Sequence, residues 1–442
     1  MTPDERIAVA DAVLARSRAD ATEVSIETSR LGLTRFTHET VNQNIDQTNT
    51  SLRVRAVVDG RVGIAATNAF DASALDAVAA RAVEIALLAP RESTPPVLAG
   101  NAAADAPAGA FVAATAAAGP EQRASVAGAI FAHATDGLWS SGYAMTANYG
   151  LTVATSNGAR MSFDGSDAGA NVKMNGPDST GFAESYSRDV NALDGTLLGA
   201  QSARIARETR APLAVDPGDW TVILAPAAAG ELLRYLTLNF SAESYSDGSS
   251  FIAGKLGTPV LGANVTLRDD YAHPLNPGMP FDFEGFPTQR VTLVAGGLAN
   301  DLVTDSTWAQ RLNRPNSGHA LPAPNSDGPQ SSYTVLDAGT KSLETLVAET
   351  KRGLLITRLW YVRIVDQRTV LLTGMTRDGT FLIENGTLKC GVRNMRFNAS
   401  IVAALKDCEL GDTQRRTGSY HYSLVTPAIK FNHFHFTSVS PY

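Results

Sequence analysis

Few residues in this chain are of a type and spacing that could do chemistry. Seven histidines are spread over 442 residues. His433 and His435, in KFNHFHF, stand two apart on an expected strand, so both rings face one side. That spacing can chelate a metal, or it can be a polar face opposite Phe434 and Phe436. His319 follows Gly318 in a long loop and is a substrate contact or a turn residue. His273 precedes a proline, and His38, His133 and His421 have no partner pattern. Asp282 and Glu284, in PFDFEGFPTQR, are the densest acid pair beside glycine, suited to a substrate amine or to capping a turn. In RLWYVR, alternation puts Arg358, Trp360 and Val362 on one strand face and Leu359, Tyr361 and Arg363 on the other. With both faces mixed, the strand lines a groove or covers a sheet.

The stretch Trp220 to Phe240, WTVILAPAAAGELLRYLTLNF, organises the second half. It reads as a buried strand (Thr221 to Leu224) feeding a helix with Pro226 in its first turn and Leu232, Leu233, Leu236 and Phe240 on one face. Two histidines a turn or so apart, with a glutamate beside the first, would make such a helix a zinc-water hydrolase. This one carries Arg234, Tyr235 and Asn239 instead. Arginine stays protonated and cannot ligate, and tyrosine, with a pKa near ~10, is a poor base at neutral pH.

Other nucleophile and phosphate signatures are missing. There is no Gly-x-Ser-x-Gly elbow, no Walker-type loop and no dinucleotide fingerprint after a strand. Cys390 and Cys408 are too few for a disulfide framework and read as small buried hydrophobes, which suits a reducing cytoplasm. The composition, 44% hydrophobic and 18% charged with a formal charge of −7, is that of an ordinary globular protein. The absence of a basic block argues against nucleic acid, and no apolar run reaches the ~20 residues of a membrane helix. MTPDERIAVADAV lacks the charge and apolar pattern of a secretory signal.

The elements that must position these residues follow from periodicity. Thr2-Pro3 starts a helix, and a period-two pattern runs from Ala21 to Ala66 with Asp59-Gly60 as a hairpin turn. A helix spans Ala72 to Leu88, an Ala/Pro/Gly-rich connector covers 95 to 119, and a helix opens at Pro120. Strands follow at Tyr143 to Thr155 and Met161 to Phe163 around Asn157-Gly158, then at Val172 to Met174 and Phe182 to Tyr186. A helix runs from Leu193 to about Arg207. In the second half, Ser241 to Ser250 reads as a polar loop, Val260 to Leu267 and Val291 to Val294 as strands, and Asn316 to Ser332 as a long loop. A short helix spans Ser342 to Thr350, and strands span Leu354 to Val365 and Val370 to Gly374. Asp378-Gly379 and Asn385-Gly386 read as turns, Asn398 as the cap of a helix to Lys406, and Ala428 to Phe436 as the last strand. This is an α+β chain of two domains, 1–207 and 208–442, each an antiparallel sheet with packed helices.

RVGIAATNAF near Gly63, PFDFEGFPTQR, NSGHA, LLTGMTRDGTFLIENG and TPAIKFNHF, in this order and at these distances, resemble the TldD/PmbA (TldE) family. The resemblance implies a pair of related subunits. One carries a His-Glu-x-x-x-His helix and a downstream cysteine and binds the zinc that hydrolyses peptides; the other lacks them. Here the first ligand position falls on Arg234, the catalytic acid on Tyr235 and the second ligand on Asn239, while Cys408 lies too far upstream to serve as the third. The resemblance is therefore to the TldE/PmbA-like member. It implies a non-catalytic subunit with no zinc of its own, paired with a zinc-bearing TldD-like homologue in the cytoplasm and acting on small or unfolded peptides or on leader peptides. The alternatives are a metal-independent enzyme of natural-product biosynthesis on the same fold, with Arg234, Tyr235, His319, Arg358 and Tyr361 as its polar groups, or a homodimeric scaffold. His319, Arg358 and Tyr361 are the expected substrate contacts.

Overall fold

The computed structural model describes residues 1–419 and 422–440. The first half is one six-stranded antiparallel sheet with helices on one face. In chain order it runs α1 (Pro3–Leu14), β1 (Ala21–Thr37), β2 (Thr40–Val58), β3 (Arg61–Thr67), α2 (Ala72–Leu88), α3 (Ala113–Ala117), α4 (Pro120–Phe131), β4 (Trp139–Thr155), β5 (Arg160–Asn175), β6 (Thr180–Ser187) and α5 (Gly195–Glu208). The sheet order is β3-β2-β1-β4-β5-β6. The expected start of α1 is a full capping box, with Thr2 and Glu5 each bonding the other's backbone N–H. Asp59 and Gly60 both take positive φ, as a two-residue hairpin requires.

Two strands are longer than their apolar pattern. Met161–Phe163 and Val172–Met174 belong to the single strand β5, not to two. The intervening GSDAG looks like a loop, but Gly165 lies against the Tyr149 ring and Gly169 against the Tyr186 ring, so the glycines make room for aromatic neighbours. β2 extends through the polar run 40–51 because β1 pairs with it throughout.

The helices bury one face of this sheet. α1 and α2 cover Val24, Ile26, Leu52 and Val54, and α4 and α5 cover Ala144, Ala170, Val172 and Ala183. The opposite face meets the second half. At one end Phe281 packs on Leu151, Val153, Met161 and Phe163. Further along, register aligns Gln43, Arg35, Tyr143, Asn171 and Glu184 as one row across five strands. Residues directly opposite share a face, so this is a continuous polar track ending on β6.

The second half comprises β7 (Gly218–Leu224), α6 (Pro226–Thr237), α7 (Ala242–Ser246), β8 (Leu267–Asp269), β9 (Val291–Ala295), β10 (Leu298–Ala299), α8 (Ser306–Arg311), β11 (Thr334–Leu336), α9 (Leu343–Ala348), β12 (Arg352–Asp366), β13 (Leu371–Glu384), β14 (Thr387–Gly391), β15 (Met395–Ser400), α10 (Ile401–Ala404), β16 (Cys408–Leu410), β17 (Arg415–Ser419), β18 (Tyr422–Thr426) and β19 (Ile429–Val439). One sheet has the order β10-β9-β8-β11-β18-β17. The other runs β12-β7-β19-β15-β13-β14, and β12 also pairs with β13, so five of its strands close a ring. β7–β12 and β11–β18 are parallel, and the remaining ladders are antiparallel. A core from Val222 and Leu224 through Leu232, Leu236 and Phe240 to Phe431 and Phe436 joins α6 to both sheets. The architecture is the two-domain α+β fold expected.

Four local expectations are corrected. Most of Val260–Leu267 is irregular chain with only a bridge at Pro259, and the strand begins at Leu267. The Ser241–Ser250 loop contains α7, capped by Ser241. Asn398 lies on β15, and Ser400 caps the short helix that follows. Asp378-Gly379 is not a turn. It sits inside β13 with φ of 54° and 130°, a kink that buries the Asp378 carboxylate.

Candidate functional site

The α6 positions singled out in the sequence are committed to the protein itself. Arg234 lies 3.4 Å from Glu231 one turn back and donates to the Tyr235 hydroxyl at 2.8 Å. That hydroxyl donates to the Val362 carbonyl at 2.6 Å, tying α6 to β12. Asn239 is fully buried on the tight turn after α6. Its amide donates to the Tyr235 carbonyl at 3.1 Å and accepts from the Phe251 N–H at 3.2 Å. Both ends of the amide are thus occupied, closing the helix terminus and pinning the next loop.

The three expected substrate contacts do not converge. Arg358 bonds Asp378 at 2.6 Å and stacks 3.8 Å over the Phe182 ring. Lys173 of β5 reaches the same Asp378 at 3.3 Å, so one buried carboxylate joins the two halves. Tyr361 has φ of 55° at a break in the β12–β13 register and is 60% exposed. That bulge ends the alternation read from RLWYVR: Leu359 and Val362 are both buried, Trp360 and Tyr361 both exposed.

His319 lies elsewhere, buried between Ser317 and Asp269. Its Nδ1 is 3.0 Å from Ser317 Oγ and its Nε2 is 3.1 Å from Asp269 Oδ1. Burial pushes the Asp269 carboxyl up, but the His319 ring, the Tyr333 N–H and the Ser331 hydroxyl together hold it below its ordinary range. This hydroxyl–imidazole–carboxylate line has no nucleophile to spare. Ser317 Oγ already accepts from the Thr304 N–H at 2.7 Å and lies 3.1 Å from the Thr304 carbonyl. It is a fastening for the 304–320 chain.

Asp282 caps a turn, accepting from the N–H groups of Glu284, Phe286 and Ala320. Glu284 accepts from Arg55 at 2.9 Å, and Arg55 also bonds Glu23. Burial, then the Glu284 charge, pushes the Asp282 carboxyl up to about 7. His433 and His435 are exposed, with the buried Phe434 and Phe436 facing the other way, and His435 pairs with Asp219 at 2.8 Å. Cys408 is buried in the core, where burial pushes its thiol up to about 11. His273 is a loop residue whose Nδ1 accepts from the Leu275 N–H. His38 stacks on Trp139 in a tight turn and His133 follows α4, while His421 lies outside the described residues.

The main cavity is one the sequence did not nominate. About 850 Å³ of space lies between β6 and α5 of the first half and the start of α6, the start of α9 and the approach to β17 in the second. Glu184 and Tyr186, on one face of β6, line it. Tyr186 shares a hydroxyl–hydroxyl bond of 2.9 Å with Tyr143. Burial pushes the Glu184 carboxyl up to about 7, against the opposing pull of Arg358 and the Gly418 N–H. The available signal was the alternation in FAESYS, which puts Glu184 and Tyr186 on one strand face.

Two sequence profiles match this chain. PmbA/TldA metallopeptidase C-terminal domain matches residues 217–438, and PmbA/TldA metallopeptidase domain 1 matches residues 22–86. The chain belongs to the PmbA/TldD family. Metalloprotease PmbA of Escherichia coli O157:H7 is 26% identical over 214 residues, 48% of this chain and 44% of that protein. A metalloprotease of Methanothermobacter thermautotrophicus is 22% identical over 233 residues, 52% of this chain and 49% of that protein. The aligned parts thus span about half the length of these curated relatives. The fold extends further: TldE from Thermococcus kodakarensis superposes with a TM-score of 0.89 at 20% identity over 99% of this chain and 100% of that one. A Thermotoga maritima protein described as a putative modulator of a DNA gyrase gives 0.87 at 16% identity over 98% and 100%.

A PmbA/TldD metallopeptidase domain implies a metal, and the side chains at the α6 positions do not fit one. A guanidinium, a phenol donating to a carbonyl and an amide bonded at both ends leave no free anionic or imidazole donor. Among the described residues no group of three His, Cys, Asp or Glu side chains is placed to share an ion.

Proposed function

We propose that this chain is a TldE/PmbA-like, non-catalytic subunit of a heterodimeric zinc peptidase. Its domains of 1–207 and 208–442 help to enclose small or unfolded peptides and leader peptides beside a zinc-bearing TldD-like homologue. One observation carries the reading: the helix that would present zinc ligands presents Arg234, Tyr235 and Asn239, each hydrogen-bonded within the chain. Hydrolytic water activation then falls to the partner's metal. The chain's own part is to shape and charge the enclosure. Two free cysteines are consistent with a cytoplasmic setting, and no helix is long and apolar enough to cross a membrane.

The test is co-expression with a homologue carrying His-Glu-x-x-x-His, then co-purification, metal analysis and a peptidase assay with and without chelator. We expect a one-to-one complex, zinc at one equivalent per pair, and turnover that chelator abolishes. Peptide turnover by the isolated chain, indifferent to chelator, would overturn this reading in favour of a metal-independent enzyme.

A further inference from the structure

We propose that the cavity between the two halves is a binding site for the ammonium group of a peptide, with Glu184 as the carboxylate that receives it. This rests on the reading that the chain encloses peptides, and it assigns the chain a recognition role of its own.

The argument begins with what surrounds Glu184. No lysine, arginine or histidine nitrogen lies within 4 Å of its carboxylate among the described residues, although three guanidinium groups are nearby. Each of the three faces another acid. Arg416 makes two 2.8 Å bonds to Asp167, and Arg188 lies 3.5 Å from the same carboxylate. Arg358 is fixed to Asp378 and stacked on Phe182. Glu184 itself is faced by the Gly418 N–H from β17, the Tyr186 hydroxyl on its own strand, Tyr143 from β4, Arg358 from β12 and Glu231 from α6. Among the described residues it is therefore an acid on a cavity wall with no direct counter-ion.

The rest of the lining suits the same ligand. Asp189, Asp194, Glu344 and Asp412 add carboxylates, the last three exposed at the rim. The remaining lining arginine, Arg415, is also exposed. The side-chain charge lining the cavity is thus predominantly negative, five carboxylates against three guanidinium groups, of which two already face Asp167. Phe182, Leu197, Leu198 and Leu343 supply apolar surface for an aliphatic stem. The volume of about 850 Å³ is in the range of small-ligand sites and accepts a few residues of extended peptide, not a folded domain. From Glu184 the row Asn171, Tyr143, Arg35 and Gln43 continues across the sheet and offers polar groups to the backbone of a chain leaving the cavity.

A lysine side chain and a free N-terminus carry the same ammonium chemistry, and the test separates them. Calorimetry on the isolated full chain at pH 8 would compare acetyl-Ala-Lys-Ala-amide, Ala-Ala-Ala-amide with a free N-terminus, and acetyl-Ala-norleucine-Ala-amide. We expect at least one amine-bearing peptide to bind about tenfold or more tightly than the norleucine peptide, the better one identifying the source. Glu184→Gln should reduce that preference below about twofold. Because burial pushes the Glu184 carboxyl up to about 7, the ionised fraction, and with it the preference, should fall several-fold from pH 8 to pH 6 in the wild-type chain. The pH series stands even where the variant folds poorly. Equal binding of all three peptides, binding of none, or a preference that survives Glu184→Gln would overturn the assignment. The subunit reading is judged separately, by co-purification and chelator-sensitive turnover.

Discussion

Arg55 is the residue whose removal tests the electrostatic logic of the fold most directly. It lies on β2 with its side chain 9% exposed, between Glu23 on β1 and Glu284 in the segment that crosses from the second half. Asp282 stands two residues from Glu284, and Asp305 caps α8 close by. One guanidinium therefore serves a pocket of buried acids. Arg55→Met keeps most of the side-chain volume but leaves Glu23 and Glu284 without a counter-charge, and breaking a buried pair in this one-sided way costs about 3–5 kcal/mol. Urea unfolding should report a loss of that size at pH 8. At pH 5 the loss should shrink, because Glu23 and Asp282, both pushed up to about 7 chiefly by burial, accept protons and relieve the orphaned charge. Adding Glu23→Gln and Glu284→Gln to Arg55→Met should recover more than half of the loss, since a neutral amide in place of each carboxylate removes the uncompensated charge. A loss below about 1 kcal/mol at pH 8, or a loss equal at both pH values, would refute the claim that Arg55 is the counter-charge of this acid pocket.

Other consequences are open to measurement. Asn239→Ala leaves the buried Phe251 N–H without its side-chain acceptor, so stability should drop by about 1–3 kcal/mol with faster hydrogen exchange over 239–252. Gly181→Ala would place a methyl carbon 2.0 Å from the Ser202 carbonyl, forcing α5 off β6. A loss of about 1–3 kcal/mol is expected, together with weaker peptide binding in the cavity that α5 walls. Asp282 has its carboxyl raised to about 7, so the folded chain holds that proton where the unfolded chain releases it. Its contribution is present below pH 4 and lost as pH rises to about 7, at most about 1.4 kcal/mol per pH unit. Asp282→Asn should accordingly flatten the fall in stability between pH 5 and pH 7 relative to the wild-type chain.

Much of the scaffold was legible because local signals and tertiary demands agree. The capping box at Thr2, the Asp59-Gly60 and Asn385-Gly386 turns and the strand-to-helix passage at Pro226 each combine a pattern with a backbone requirement. The same signals misled where a residue that favours turns is used for something else. Asp378-Gly379 has the composition of a hairpin turn, yet its left-handed backbone is spent inside a strand to aim a carboxylate at Arg358 and Lys173. The alternation in RLWYVR was erased by a bulge, which no side-chain pattern announces. The cavity was invisible for a different reason. Its walls come from segments near 185, 195, 226, 275, 343 and 415, and only the docking of two sheets brings them together. Glu184 carries no local motif; its chemistry arises from which arginines are already engaged elsewhere.

The two ends of α6 show how such a chain divides its labour. At the C-terminal end, Arg234, Tyr235 and Asn239 form a closed set of bonds to β12 and to the 250 loop, so this end is framework. In the middle, Gly230 lets Thr417 approach so closely that a methyl carbon there would sit 2.2 Å from its hydroxyl, which locks α6 against β17. At the N-terminal end, Ala225, Pro226 and Ala227 carry no side-chain cap and form part of the cavity wall. The C-terminal turn of α6 is thus the anchor that fixes the opposite turn at the mouth of the cleft. A substitution that loosens Asn239 should therefore weaken ligand binding around Glu184 without contacting it, a coupling that runs along one rigid helix.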